Sequence, residues 1–392
     1  MTRVTDTIVG MRQWSDIADA IASTRSTTAK VATVAGYLRS LDPDSLPVAT
    51  VFLSGRPFPE TDARTTGIGW RALSDVVSGL AAEAADRTGA TPLGLGAAYD
   101  RSSDLGTAVF DLLESAGYRP VDEPPTLPEV AASFVAIAAA RGAAAKGAAA
   151  RALLARCDAA TARAVVKVLS GELRIGLRQG HLEAAIASAF GRDLAAVQWA
   201  GMLTGDIGRT AVLARDDLLD SAELSLFHPL TCMLASPVAD EAEALSRMPP
   251  PVWVEDKYDG IRAQLHKLGA EVRLYSRDLN DVSEQFPEVL AAAAGSPWEG
   301  ILDGEVLAWR DGSALPFQQL QGRLGRKRPS QQIQADVPVI YVGFDVLALG
   351  DGAAAPEPLL RLPLRQRRAR LEALGLERVE GMGLAALTSA AD

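Results

Sequence analysis

Cysteine is nearly absent: Cys157 and Cys232 are the only two in 392 residues, far apart and neither with a second Cys nearby. That argues against a disulfide framework and a zinc site, and both thiols read as small buried hydrophobes in a reducing compartment. No apolar run approaches the roughly 20 residues that a membrane-spanning helix needs, so no membrane partner is expected. The opening MTRVTDTIVGMRQWSD is broken by charges before any apolar stretch could act as a secretion signal, which leads us to expect a cytoplasmic protein. A net charge of −10 does not advertise a nucleic-acid binder, so local basic patches must carry any such reading. Lysine is also scarce: six of the 39 basic residues, the rest being Arg. A lysine required for chemistry therefore stands out against this background.

The length accommodates two domains at roughly 150 residues each. From the N-terminus to about residue 225 the pattern is helical, Ala, Leu and Arg recurring at three-to-four spacing, with LDPDSLP, SGRPFPETD and DEPPTLPE as turns. One stretch of about forty residues carries Arg141, Lys146, Arg151, Arg156, Arg163, Lys167, Arg174 and Arg178 with few compensating acids. It reads either as a solvated helix face or as a phosphate-binding surface. Gly142, Gly147 and Gly171 favour the latter, because they let helix N-termini approach phosphates. Residues 226–251 are Pro-punctuated and read as a linker and domain entry, after which the period becomes two. The segments VWVEDKY, IRAQLHKL, EVRLYSR, GILDGEVLAW and VPVIYVGFDVLAL are expected strands, with a turn at Gly269. The short hairpin and the lack of a Gly-rich phosphate loop predict a mixed, mainly antiparallel sheet rather than a doubly wound one.

Four short elements follow one another in the second half: Glu255-Asp256-Lys257-Tyr258-Asp259-Gly260-Ile261-Arg262, Ser276-Arg277, Asp303-Gly304-Glu305 and Gly343-Phe344-Asp345. Taken singly, Phe344 would be a core residue and Asp303-Gly304 a plain turn. As an ordered set they resemble the covalent nucleotidyltransferases, the superfamily of DNA ligases, RNA ligases and capping enzymes. SGELRIGLRQGHLEAAIASAFG and MLTGDIGRTA, with the earlier GIGWRAL, look like the helical DNA-binding domain of ATP-dependent DNA ligases of the bacterial and archaeal type.

The resemblance implies an all-helical DNA-binding domain, 1–225, followed by a nucleotidyltransferase domain, 226–392. It implies Lys257 as the nucleophile that takes AMP from ATP. Glu255, on the same strand face as Lys257 by alternation, would read adenine, with Asp259 on that face too if the strand continues. Arg262 and Arg277 would hold phosphate or ribose, Glu305 would contact ribose or Mg²⁺, and Phe344 would stack on the purine. Lys146, Arg151, Lys167, Arg174 and Arg178 are the candidate DNA contacts. The implied partners are ATP, Mg²⁺ and nicked duplex DNA, met by a monomer in the cytoplasm, on the nucleoid. Beyond the aromatic-Asp strand the family continues to E-G-x-x-x-K and K-x-K elements and an OB-fold domain. This sequence carries none of them, so a fragment of a longer protein or a truncated gene is expected, with an unpaired sheet edge. Two rivals stay open: a non-sealing remnant that binds DNA, and an RNA ligase or capping-type enzyme.

Overall fold

The computed structural model describes residues 10–233, 235–248, 252–326, 328–350 and 356–390, except for the side chains of 387–390. The chain divides into two compact units, residues 1–223 and 224–392.

Among the described residues the first unit is helical throughout, from Met11–Ser23 to Ile207–Arg215. Its helices begin where short polar side chains can take up free N–H groups at the helix start. Asp104, Asp158, Asp193 and Asp206 each accept such a bond, and Thr126 with Glu129 forms a reciprocal capping box around Pro128. Their apolar stripes meet in one core in which Trp14 packs edge-on to Phe52, 6.2 Å between ring centroids, and Phe52 against Phe134. The buried indole N–H of Trp14 donates to the Ala49 carbonyl, so this large side chain is buried without an orphaned donor.

The second unit is built on strands β1 (Val252–Glu255), β2 (Ile261–Leu268), β3 (Glu271–Ser276), β4 (Glu299–Arg310), β5 (Ser313–Ala314), β6 (Val339–Gly350), β7 (Glu357–Pro358), β8 (Met382–Leu384) and β9 (Leu387–Ala390). The main sheet runs β3-β2-β4-β6-β7 with antiparallel neighbours. β5 adds to β4, β8 adds to β6 in parallel, and β1 pairs separately with β9. At the β3 edge the exposed Glu271 and Arg273 discourage further pairing.

Side-chain alternation gives this sheet two different faces. Ala263, Leu265, Leu302, Val306 and Tyr341 point to the core, covered by Phe286 and the helix Pro287–Ala294. Asp303, Glu305, Leu307 and Val342 alternate with them and belong to the opposite face, where only a small apolar cluster forms. Two glycines of the sequence motifs are explained by this stacking. A Cβ on Gly304 would lie 2.5 Å from both the Tyr341 ring and the Val342 carbonyl, and one on Gly260 would strike the Val306 carbonyl. Asp303-Gly304 is therefore the middle of a strand, and the plain-turn alternative is excluded.

Candidate active site

The polar face of the sheet gathers Arg262, Asp303, Glu305 and Phe344, with Lys257 beside them. Lys257 lies in the loop between β1 and β2, exposed, and makes no hydrogen bond or ion pair with the described residues. The other described lysines are all engaged. Lys30 donates to the Ile175 carbonyl, Lys146 to those of Thr66 and Ile137, Lys167 pairs with Asp104, and buried Lys267 sits over Trp298.

Lys257 is close enough to Glu305 to act on its carboxyl. Burial pushes Glu305 up to about 7, and the Gly260 N–H, Arg262 and Lys257 offset this only partly. Asp303, two residues earlier on the same face, is buried and held by Arg262 through Nε at 3.2 Å and Nη2 at 2.7 Å. Burial raises the Asp303 carboxyl and Arg262 opposes it; burial likewise works against the Arg262 charge, which the pairing outweighs. The same guanidinium lies 5.5 Å from the centroid of the Phe344 ring.

Phe344 reaches this face through an irregularity. Asp303 pairs with Asp345 and Gly304 with Gly343, leaving Phe344 as an extra residue on β6. Such a bulge re-aims side chains. Phe344 is half-buried against the cluster of Leu307, Val342 and Ala385, so it is neither a core residue nor fully free. Arg277 is exposed just beyond β3 and makes no ion pair among the described residues.

The structure corrects one expectation and gives partners to residues in two other segments. β1 ends at Glu255, so Lys257 and Asp259 lie in the loop and strand alternation does not align them with Glu255. Glu255 is tied instead to Arg368, 3.5 Å away, on the helix Leu364–Glu372. Burial raises the Glu255 carboxyl, Arg368 opposes this and Asp345 adds to it. The Pro-punctuated segment that enters the second domain is anchored, because residues 227–233 dock on β2. The Phe227 N–H donates to His266 Nδ1 at 3.0 Å, Leu230 exchanges two bonds with the Gln264 amide, and Arg262 donates to the Met233 carbonyl. Finally, much of the basic stretch in the first unit is spent internally. Lys146 and Lys167 are engaged as above, and Arg151 pairs with Glu83 at 2.7 Å. Arg174, weakly paired with Glu172 at 3.5 Å, and Arg178 at a helix start are exposed.

Sequence reasoning missed Arg367 and Arg368. Arg367 grips Asp345 with Nε at 2.8 Å and Nη2 at 2.7 Å. The run LPLRQRRARLEALG signals only a basic helix, and nothing local says which arginines turn inward.

The family model described as "ATP dependent DNA ligase domain" matches residues 232–387, and "DNA ligase N terminus" matches residues 11–187. The chain belongs to the ATP-dependent DNA ligase family. A probable DNA ligase of Koribacter versatilis (strain Ellin345) is 44% identical over 364 residues, 93% of this chain and 61% of that protein. DNA ligase 1 of Korarchaeum cryptofilum (strain OPF8) is 34% identical over 375 residues, 93% of this chain and 64% of that one. The chain thus spans less than two thirds of these ligases. The solved structure Pmar-Lig_PreS3 shares the fold at a TM-score of 0.51 and 12% identity, over 96% of this chain and 67% of its own.

Proposed function

We propose that this chain carries the DNA-binding and adenylation machinery of an ATP-dependent ligase that seals nicks in duplex DNA. The observation that carries the reading is Lys257: among the described lysines it alone is exposed without a hydrogen-bond or ion-pair partner, and it lies beside Glu305 on the face holding Arg262 and Phe344. The Nζ lone pair attacks the α-phosphate of ATP; a P–N bond forms, the α–β anhydride P–O bond breaks, pyrophosphate leaves with the electron pair, and the nitrogen gives up a proton to water. AMP then passes to the 5′-phosphate of a nick, and the 3′-hydroxyl displaces it.

In this reading Phe344 stacks on the purine, Glu255 reads its amino group, and exposed Arg277 neutralises phosphate. Arg262, already committed to Asp303 and Met233, has fewer free donors and orients the pocket wall more than it grips phosphate. Glu305 suits Mg²⁺ as one carboxylate ligand, since this ion takes few protein ligands and fills its shell with phosphate oxygens and water. When bound it would draw charge from the phosphates. The helical unit contacts backbone phosphates of DNA of any sequence through Arg174 and Arg178. The enzyme works as a monomer in the cytoplasm, on the nucleoid.

The test is to incubate the chain with Mg²⁺ and α-labelled ATP and to count label retained after denaturation. Label on the wild type and none on Lys257→Ala supports the reading. Equal label on both sinks the role of Lys257. No label on either favours the alternative that the span covered here, 61% of the Koribacter ligase, binds DNA without carrying AMP. The match of residues 11–187 to the DNA ligase N terminus weighs against an RNA ligase or capping enzyme.

A further inference from the structure

Arg368 is a buried cation whose position does not depend on the site. Its Nε donates to Glu372 at 2.8 Å and its Nη2 to the Ala385 carbonyl at 2.5 Å, both outside the motif residues. The remaining arm, Nη1, reaches Glu255 Oε1 at 3.5 Å, and the side chain is 5% exposed. The planar fork is thus locked from two sides and presents its third side to one oxygen of Glu255, leaving Oε2 as an acceptor. The neighbouring Arg367 grips Asp345 at two points and so offsets part of the repulsion that Asp345 exerts on Glu255. Glu255 itself is partly exposed at the end of a two-stranded ribbon, and among the described residues no other hydrogen bond or ion pair fixes its rotamer.

We propose that Arg368 is a positioning residue that holds the Glu255 carboxylate to accept a hydrogen bond from the 6-amino group of adenine, and so sets the preference for ATP over 6-oxo purine nucleotides. A carboxylate held in place attracts an amino donor and repels a carbonyl oxygen; a carboxylate free to swing away does neither. The inference rests on the adenylation reading above.

The experiment measures equilibrium binding of ATP and of ITP to the full chain in a Lys257→Ala background, where no covalent transfer intervenes. It then repeats the measurement with Arg368→Lys, Glu255→Gln, both together, and Glu372→Gln, which loosens Arg368 from outside. We expect the Lys257→Ala protein to prefer ATP by about tenfold or more, the scale of one hydrogen bond to a charged group. Arg368→Lys should lose most of that ratio by weakening ATP alone, Glu372→Gln should lose part of it, and the double variant should be no worse than Glu255→Gln. Equal binding of ATP and ITP before any change at 255 or 368 overturns the proposal. So does a loss of both nucleotides in parallel, or effects of 255 and 368 that multiply, either of which makes Arg368 a plain structural support. Absence of covalent label on the wild type would sink the adenylation reading and leave these binding ratios to decide the proposal separately.

Discussion

His266 makes the second unit sensitive to mild acid in a way that can be worked out from its surroundings. The ring is fully buried in β2; Nδ1 accepts the Phe227 N–H at 3.0 Å, and Tyr275, its ring centroid 4.9 Å away, donates its hydroxyl to the Phe227 carbonyl. Nε2 has no partner among the described residues. Burial, aided by nearby His228, pushes the imidazole down to about 3. The folded value lies below the unfolded value of about 6.5, so the contribution is intact above pH 6.5 and is lost as pH falls from there toward 3. Between pH 7 and pH 5 the loss is about 2 kcal/mol, because the unfolded chain binds a proton that the native state refuses. Glu305, raised to about 7, works the other way: its contribution is present below about 4.5 and fades as pH rises through 7. The wild type alone would therefore mix the two. Comparison with His266→Gln, which keeps an acceptor but does not titrate, cancels Glu305. The assay is a urea series at pH 7 and pH 5, in metal-free buffer, read by hydrogen exchange of peptides spanning β2 to β4. The stability difference between the two proteins should shift by about 2 kcal/mol over that interval in favour of the variant. A flat difference would refute the buried neutral imidazole and the latch it forms with residues 227–233.

Gly304→Ala should cost about 3 kcal/mol or more, because the added Cβ meets a strand carbonyl that cannot move without breaking the β4–β6 ladder. Gly269→Ala, with a positive φ of 56° but open space around it, should cost about 1 kcal/mol, and thermal unfolding of the two variants side by side checks the order. In the helical unit, Arg174→Ala with Arg178→Ala should flatten the salt dependence of nicked-duplex binding by about 1 to 2 in log–log slope. Lys167→Ala, which frees Asp104, should lower the melting temperature and leave that slope unchanged. The opposite pattern would place the DNA face elsewhere.

The sequence by itself determined the helical first half, the strand periodicity of the second and the singular status of Lys257, because these depend on local spacing and on a lysine content low enough to make one stand out. The ordered motifs also made the ligase family legible, and two of their glycines, Gly260 and Gly304, fill positions where a carbonyl of β4 or β6 leaves no room for a Cβ. Only the tertiary structure decided that Arg262 is spent largely on Asp303, that residues 227–233 are strapped to β2, and that Lys146, Arg151 and Lys167 hold the helical unit together. Only it brought Arg367 and Arg368, more than a hundred residues downstream of Glu255, to the carboxylates of the site. A charge in a sequence has no partner until the chain closes on itself, and burial then fixes whether it binds a ligand or a neighbour.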